Sequence, residues 1–316
     1  MENGLRIFHP VPHSRSRGYI VGPPTYGLPA APWKAYIMDL KEQTWTDRQA
    51  IRKRQPLIHN ITNFVVMNET ANVILAVGAS PVMAHALEEV EEMVGFAGAL
   101  VLNIGTLWPG LVEACVVAGK RANVLGVPVI FDPVGAGATT LRTRAVERIL
   151  GEVRVSVLRS NASEAFAAAG MPARIRGVDS LVGEADMSAA ASAIARKLGL
   201  TVAITGKTDV ITNGSVTYHC QNGHVLLQTV TGTGCSATAM VGCFAAVQAD
   251  PVLAAAEALG YYGLCGELAA AGAVGPGSFE MALRDHLYSL TRDELVRGLK
   301  VGVAGNNVAQ GTRHGV

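Results

Sequence analysis

The segment TVTGTGCSATAM carries the strongest chemical signal in the chain. Gly232, Gly234 and Cys235 lie in it, between a predicted short strand and a predicted long helix of small residues. Glycines let successive backbone N–H groups point at one spot, and the start of a helix adds the positive end of its dipole. The segment therefore predicts an anion hole suited to a phosphate and to the charge that builds up in phosphoryl transfer. An ordinary glycine-rich turn is the alternative, because the segment has neither the G-K-[ST] of a P-loop nor a complete G-x-G-x-x-G.

Cys235 comes in the first turn of that predicted helix. The helix dipole can lower the pKa of a thiol from about 8.5 toward neutrality, which would make Cys235 a base or a group that orients a hydroxyl. The alternative is a small buried residue, which is the interpretation we favour for Cys115, Cys243 and Cys265. The five cysteines include no C-x-x-C pair, so neither a disulfide framework nor a zinc site is indicated, and a reduced cytoplasmic protein is predicted.

Two carboxylates follow predicted strands. Asp132 ends the run VPVIFDP, and Glu164 comes just after the strand in VLRSNASEAF. Ligands of open α/β sheets bind at the carboxyl ends of strands, where two carboxylates suit a hydrated Mg²⁺ beside a triphosphate. The alternatives are a turn-forming Asp-Pro pair for Asp132 and a helix capping box of Asn161 with Glu164. The capping box is compatible with a role near a metal.

Further polar residues end other predicted strands. Arg159 is a candidate phosphate clamp, while Thr205 and Asn103 end two more apolar runs. Four segments thus deliver polar side chains to one predicted edge of the sheet.

The segment PLIHNITNFVVMNETAN is rich in His and Asn. Its Asn63 fits the wall of a polar pocket that binds a small heterocycle through neutral hydrogen bonds, or else capping and turn chemistry. Met83, in GASPVMAH, offers a soft apolar contact suited to a sulfur-containing ring, and core packing is the alternative.

Composition excludes several classes of protein. The chain has 316 residues, 49% of them hydrophobic and 16% charged, with a formal net charge of +1. A disordered chain would be poorer in apolar residues, and a nucleic-acid-binding domain would be strongly basic. The longest apolar stretches fall short of the roughly 20 residues that span a bilayer. We therefore expect neither nucleic acid nor a membrane as partner.

The positioning elements follow from the pattern of apolar runs. Strands are predicted at Leu100–Leu102, Val127–Phe131, Val155–Leu158 and Val202–Ile204. Helices are predicted at Ala86–Val94, Gly110–Ala122, Arg142–Leu150 and Ala189–Leu198. This alternation predicts an α/β fold with a doubly wound, mostly parallel sheet and helices on both faces.

Three further features concern the rest of the chain. Asn213-Gly214 predicts a type I′ hairpin turn, and the chain from Cys235 to its end is predicted almost entirely helical. Residues 1–37 are rich in Pro and Gly and have no period, which predicts a disordered extension before a single domain over residues 38–316.

Seven segments resemble, in order, the hydroxyethylthiazole kinases of the ribokinase-like superfamily: HNITN, GASPVM, LNIGTL, DPVGAGAT, LRSNASE, AITGKTD and TGTGCSATAM. The resemblance implies a ribokinase-like fold and transfer of the γ-phosphoryl of ATP, with Mg²⁺, to the hydroxyl of 4-methyl-5-(2-hydroxyethyl)thiazole in thiamine salvage. It also implies a homotrimer whose thiazole pocket is shared between subunits.

Together with the residue patterns above, the resemblance implies four sets of site residues. They are Cys235, Gly232 and Gly234 for catalysis, Met83, Gly232 and Asn63 for the thiazole, Arg159, Thr205 and Asn161 for the nucleotide, and Asp132 and Glu164 for the metal.

Two other functions are alternatives. A hydroxymethylpyrimidine kinase would use the same architecture on a pyrimidine, although HNITN together with TGTGC fits the thiazole enzyme better. A ligand-binding homologue without activity would have lost the carboxylates or the anion hole, and both are present in this sequence.

Overall fold

The computed structural model describes residues 33–108, 110–171 and 184–304. Within these residues, nine strands form one sheet in the order β2-β1-β3-β4-β5-β6-β7-β8-β9. The strands are β1 (Leu57–Ile61), β2 (Ser80–Val82), β3 (Ala99–Asn103), β4 (Val129–Asp132), β5 (Val157–Asn161), β6 (Thr201–Thr205), β7 (Asp209–Thr212), β8 (Thr217–Cys220) and β9 (Val301–Val303).

Helices cover both faces of this sheet. Those of the described residues are α1 (Trp33–Arg54), α2 (Met67–Val77), α3 (Val90–Val94), α4 (Leu111–Leu125), α5 (Thr140–Glu152), α6 (Ala162–Ala168), α7 (Glu184–Leu198), α8 (Thr233–Ala245), α9 (Pro251–Gly272), α10 (Pro276–Ser289) and α11 (Arg292–Gly298). None of these helices combines the length and the apolar character that a membrane crossing needs.

Strands β1 to β6 run parallel, and β7, β8 and β9 are each antiparallel to the preceding neighbour. The predicted mostly parallel sheet with helices on both faces is therefore confirmed. Strand β2 lies on one side of β1 and β3 lies on the other. The topological switch point, outside which open α/β sheets bind their ligands, consequently falls between β1 and β3.

Both faces of the parallel strands are buried. In β3, Leu100 and Leu102 enter the core formed with α3 to α7, whereas Ala99 and Val101 enter the core formed with α1, α2 and α8 to α11. Side chains alternate between the two faces along a strand. A strand between two cores thus needs an apolar residue at every position, which is why the central strands stand out in the sequence.

Strand β1 lies outside the apolar runs that predict strands. It carries His59 and Asn60, which are polar but fully buried. His59 Nε2 lies 2.7 Å from the carbonyl oxygen of Ala84, and Asn60 donates to the carbonyl of Ile58 at 2.8 Å. These bonds give one polar atom of each side chain a partner within an inner strand, so hydrophobicity alone does not reveal this strand.

The hairpin is present, but the predicted type I′ turn is wrong. Residues 213–216 connect β7 to β8, and Gly214 has φ +88° whereas Asn213 is not among the residues of positive φ. A type I′ turn needs positive φ at both central residues. The Asn213 side chain instead accepts from the N–H groups of Ser215 and Val216 at 2.9 and 3.0 Å, which forms a wider turn.

Other local predictions also differ from the structure. The segment before the glycine-rich turn is a 3-10 helix, Val225–Thr229, and not a strand, because His224 caps its first turn through the Leu226 N–H. The last part of the chain is not wholly helical, since β9 pairs with β8. The helix predicted from Ala86 begins only at Val90.

Helix α1 begins at Trp33, before the predicted domain boundary at residue 37. The rest of the predicted extension, residues 1–32, lies outside the described residues. Arg48 of α1 is buried, and it donates to the Tyr261 hydroxyl at 3.3 Å and to the Tyr288 carbonyl at 2.8 Å. These bonds fix α1 on α9 and α10.

A buried acid lies at the contact of α1 with α9. Glu257 is 0% exposed, and among the described residues neither of its carboxyl oxygens has a hydrogen-bond donor. Burial first, and then the charge of Asp47, raises the pKa of Glu257 to about 10. Glu257 is therefore a neutral acid in the folded protein at neutral pH.

We expect Glu257→Gln to raise the melting temperature above neutral pH and to flatten its pH dependence. The unfolded chain loses this proton near pH 4.5 and the folded chain near pH 10. Between these values the free energy of unfolding falls by up to about 1.4 kcal/mol per pH unit, and Gln removes that term. Thermal melts across this range check the slope, with the exposed Glu91→Gln as control. An unchanged slope in Glu257→Gln would contradict the assignment.

Candidate active site at the carboxyl edge of the sheet

Asp132 ends β4 and is 1% exposed. Its Oδ2 accepts from Thr238 Oγ1 at 2.7 Å and from Asn103 Nδ2 at 3.1 Å, and Arg159 Nη1 lies 3.8 Å away. Burial raises the pKa of Asp132 to about 6, against the opposing effect of the Arg159 charge. Because burial disfavours the ionised form of this carboxyl group, a nearby cation would stabilise that form strongly.

Glu164 lies in the first turn of α6 and forms the predicted capping box. Asn161 Oδ1 accepts from the Glu164 N–H at 2.9 Å, and Glu164 Oε2 accepts from the Asn161 N–H at 3.2 Å. Glu164 Oε1 accepts from the Gly135 N–H at 2.8 Å. The charge of Glu164 also raises the pKa of Asp132, so the two carboxylates are close enough to interact.

Arg159 connects β5 with β6 and with the start of α8. Its Nη2 donates to Thr205 Oγ1 at 2.7 Å, and a Cβ placed on Gly234 would lie 3.0 Å from its Nη1. Its Nε is buried and has no acceptor among the described residues. The guanidinium thus lies beneath the glycine-rich turn, where an anion would meet its charge.

The glycine-rich turn begins α8 without a side-chain cap. Gly232 is the N-cap residue with φ +86°, and a Cβ at this position would lie 2.9 Å from Val66 Cγ1. The hydroxyl of Thr233 turns back to the carbonyls of Leu227 and Val230 at 2.6 and 3.1 Å. Since no side chain of the described residues caps the first N–H groups of α8, they are available to an anion.

The predicted lowering of the Cys235 pKa is wrong. Burial first, and then the charge of Asp132, raises the pKa of this thiol to about 11, although hydrogen bonds from Asn103 and Asn63 lower it. The Asn63 amide nitrogen lies 3.6 Å from the sulfur. A helix dipole contributes only about 0.3 to 1 kcal/mol, less than one pKa unit, so desolvation decides the result.

The Asn63 side chain connects the ends of β1 and β3, the two strands that flank the topological switch point. It follows β1, and its Nδ2 donates to Asn103 Oδ1 at the end of β3 at 2.9 Å. Its Oδ1 accepts from the Val65 N–H at 3.1 Å, which holds the loop in a tight turn. The predicted pocket residue therefore also performs the turn chemistry that was its alternative.

Met83 follows β2 and lies beside the same loop. His85 Nδ1 lies 3.0 Å from the Met83 carbonyl, and His85 Nε2 lies 3.0 Å from the Thr62 carbonyl. The ring of Phe64 stacks on Trp108 with centroids 4.6 Å apart. An apolar and aromatic rim thus borders the polar strand ends.

The ten predicted site residues fall into three groups. Asp132, Arg159, Gly234 and Cys235 meet directly at the start of α8 through the contacts above. Gly232 is the N-cap residue of α8, Asn63 and Thr205 contact Cys235 and Arg159, and Asn161 with Glu164 forms the capping box at the end of β5. Met83 joins this centre only indirectly, through His85 and the loop that carries Asn63.

Thr238, His85 and Arg142 are missing from the predicted set. The only sequence signal for Thr238 and His85 is that each is a polar residue within a segment that carries predicted site residues, TVTGTGCSATAM and GASPVMAH. Arg142 donates to the carbonyls of Ile104, Val134 and Gly105 at 2.7 to 2.9 Å and so holds two loops of the edge.

The edge combines an uncapped helix start, a buried cation and two carboxylates. No group of three His, Cys, Asp or Glu side chains suited to a metal occurs among residues 33–108, 110–171 and 184–304. This donor set is too sparse for a protein-only metal cage. It fits a hydrated Mg²⁺, which proteins hold through one or two carboxylates together with substrate phosphates.

The chain matches known proteins in both sequence and structure. Residues 49–293 match the profile of the Hydroxyethylthiazole kinase family. A hydroxyethylthiazole kinase of Desulfotalea psychrophila is 54% identical over 253 residues, covering 80% of this chain and 93% of that protein. The structure of a hydroxyethylthiazole kinase protein from Pyrococcus horikoshii matches with a TM-score of 0.77 and 44% identity, covering 83% of this chain and 99% of that chain.

A more distant structure bears on the fold alone. Bacillus subtilis pyridoxal kinase, solved as an ADP complex, matches with a TM-score of 0.51 and 17% identity, covering 67% of this chain and 91% of that chain. Together with the Pyrococcus horikoshii structure, this match confirms the predicted ribokinase-like fold.

Proposed function

Because the chain belongs to the hydroxyethylthiazole kinase family, we propose that it transfers the γ-phosphoryl of ATP to the hydroxyl of 4-methyl-5-(2-hydroxyethyl)thiazole, in thiamine salvage. The observation that carries this proposal is the uncapped start of α8 directly above Arg159 and Asp132. Phosphoryl transfer depends mainly on positioning and on stabilising charge at the phosphoryl oxygens. Backbone N–H groups and a guanidinium that converge on one point provide this.

The nucleotide and metal roles follow from charge. Arg159 and Thr205 would bind the phosphates, and the Asn161 cap keeps the strand end in place for them. Asp132 and Glu164 would hold Mg²⁺ through water, and the metal would neutralise charge on the phosphates. The buried Asp132, with its raised pKa, supports this assignment.

The acceptor side is assigned to the other end of the turn. Gly232 packs closely against Val66, whose N–H donates to the Asn63 carbonyl in the loop after β1. Met83 is connected to the same loop through His85, and with the family resemblance this supports contacts of Gly232, Asn63 and Met83 with the thiazole. Cys235 would lie beside the acceptor hydroxyl, and its raised pKa supports a role in orienting that hydroxyl more than one as a strong base. Gly234 and Gly232 would stabilise the transferred group through backbone N–H groups.

We also propose a homotrimer with a pocket shared between subunits. The support is the family resemblance together with an apolar surface beside the site, where Phe64 and Val65 are 58% and 68% exposed. Exposed apolar patches of this kind are typical of interaction surfaces.

We expect Phe64→Ser to weaken this assembly and to make activity depend on protein concentration, because the interface would lose an aromatic side chain that the trimer would bury. Light scattering after size exclusion measures the oligomeric state. Val124→Ser is the control, because Val124 is 77% exposed. A stable trimer with unchanged activity would place the interface elsewhere.

Two broader assignments belong to the same proposal. The catalytic domain would comprise residues 38–316, and the protein would act in the cytoplasm. All five cysteines are free thiols, which supports a reducing compartment.

An acceptor panel tests the function. ADP release is measured with the thiazole alcohol, with hydroxymethylpyrimidine and without acceptor, each with MgATP. We expect release only with the thiazole alcohol. Release with the pyrimidine would favour the related pyrimidine kinase, and binding of the thiazole without ADP release would favour a ligand-binding homologue.

A further inference from the structure

We propose that Asn103 and Thr238 are positioning residues, which fix the anion-binding start of α8 relative to the strand ends through a ring of four hydrogen bonds that one turn of α8 closes. The proposal rests on the proposed phosphoryl transfer. It assigns a role to Thr238, which is missing from the predicted set, and to Asn103, which the sequence predicts at this edge without a role. The ring runs from Thr238 to Asp132, Asn103, Asn63 and Cys235, and so returns to α8 three residues from where it began.

The orientation of the Asn103 amide follows from its neighbours. The Gly105 N–H lies 2.9 Å from Asn103 Oδ1, and a backbone N–H only donates. The atom that faces Gly105 is therefore the oxygen, so Nδ2 faces Asp132 as a donor. Asn103 Oδ1 also accepts from Asn63 at 2.9 Å, and Asn103 thus connects the carboxylate with the loop after β1.

Thr238 supplies a second donor to Asp132 Oδ2, the oxygen that accepts from Asn103. Its hydroxyl lies 2.7 Å from Asp132 Oδ2 and 3.3 Å from the Gly234 carbonyl. The carboxylate is the better acceptor at the shorter distance, and Thr238 is 0% exposed, so no water competes. Two donors on Oδ2 hold the carboxylate against rotation.

The ring is closely packed. Asn63, Asn103, Asp132 and Thr238 are each at most 4% exposed. A Cβ on Gly105 would lie 2.7 Å from Asn63 Nδ2, so only glycine leaves room for the amide there. A buried polar ring of this kind specifies one geometry because each broken bond leaves an unsatisfied group.

The expected consequence is a loss in kcat rather than in substrate affinity. Without the Thr238 hydroxyl, the hydrogen bond that connects Asp132 with the first turns of α8 is lost. The phosphoryl-binding groups would then be misplaced relative to the acceptor. Misplacement by about 1 Å costs up to about 100-fold in rate. Of the residues assigned to the thiazole, Met83 and Gly232 lie outside the ring. Asn63 lies within it, but loss of the Thr238 hydroxyl leaves its own bonds to Asn103 and Val65 in place, so the acceptor KM should change little.

The test compares Thr238→Val with Thr238→Ser. We expect Val to lower kcat about 10- to 100-fold with less than about threefold change in the thiazole KM, and Ser to restore most of kcat. Calorimetric binding of the thiazole alcohol without ATP and Mg²⁺ should match wild type in both variants. Asn103→Ala should lower kcat similarly, and combined with Thr238→Val it should be less than additive, because both donors act on one carboxylate.

Three outcomes would overturn the proposal. One is a Ser variant as impaired as the Val variant. Another is a Val variant that loses thiazole affinity as much as kcat, and the third is full additivity in the double variant. Wild-type protein in the same assay separates the two claims: a wild type without thiazole kinase activity refutes the proposed function and this role with it, whereas an active wild type with an equally active Val variant refutes this role alone.

Discussion

Asp132→Asn is expected to lower turnover with MgATP by about 100-fold or more and to raise the Mg²⁺ concentration needed for half-maximal rate. The amide has no charge to hold a hydrated cation at the phosphates. It also leaves Arg159, now 3.8 Å from a carboxylate oxygen, without its counter-charge. In addition, an amide nitrogen would face the donors Thr238 and Asn103 unless the side chain turns. The measurement is the initial rate as a function of Mg²⁺ at saturating ATP.

Folding and charge have to be separated in this experiment. Asp293→Asn, on the exposed surface of α11, removes the same charge away from the site and serves as the matched control. The Asp132 variant should keep the oligomeric state and thiazole binding of the wild type. If Asp132→Asn turned over at the wild-type rate at low Mg²⁺, the metal would be held elsewhere.

The second large effect is expected at Gly232. Alanine there would have to adopt φ +86°, which costs of order 1 to 3 kcal/mol, and its Cβ would meet Val66 Cγ1 at 2.9 Å. The turn would shift, and with it the backbone N–H groups that face the anion. Loss of one such donor typically costs about 100- to 1,000-fold in kcat, so we expect a fall of at least about 100-fold.

Gly126→Ala is the matched control for backbone strain. Gly126 ends α4 with φ +73° and has open space around it, so Ala there tests positive φ without a steric clash. It also lies at the amino edge of the sheet, just before β4. If Gly232→Ala loses no more activity than Gly126→Ala, the glycine is needed for folding and not for anion binding.

The sequence predicts those parts of the site that depend on local pattern. Asn103, Asp132 and Thr205 are found because each ends an apolar run, and the parallel sheet brings such ends to one edge. The capping box of Asn161 with Glu164 is found because its two residues are three positions apart.

What depends on distant partners could not be predicted. Thr238 donates to Asp132, which is 106 positions away, and no local spacing encodes that pair. The pKa of Cys235 depends on how deeply the folded chain buries it, a quantity that overrides the local helix dipole. Strand β1 escapes detection partly for the same reason, since the partner of the buried His59 is the Ala84 carbonyl, 25 positions away.

The central claim, that the edge around Asp132 and Gly232 phosphorylates the thiazole hydroxyl, is tested most directly by following the phosphoryl group itself. ATP labelled with oxygen-18 on the γ-phosphoryl group is incubated with Mg²⁺ and the thiazole alcohol, and the product is analysed by mass spectrometry. We predict a thiazole phosphate ester that carries three labelled oxygens and an unlabelled bridging oxygen from the alcohol, formed by the wild type and strongly reduced in Gly232→Ala. Labelled inorganic phosphate without the ester, or an ester formed equally by both proteins, would contradict the account.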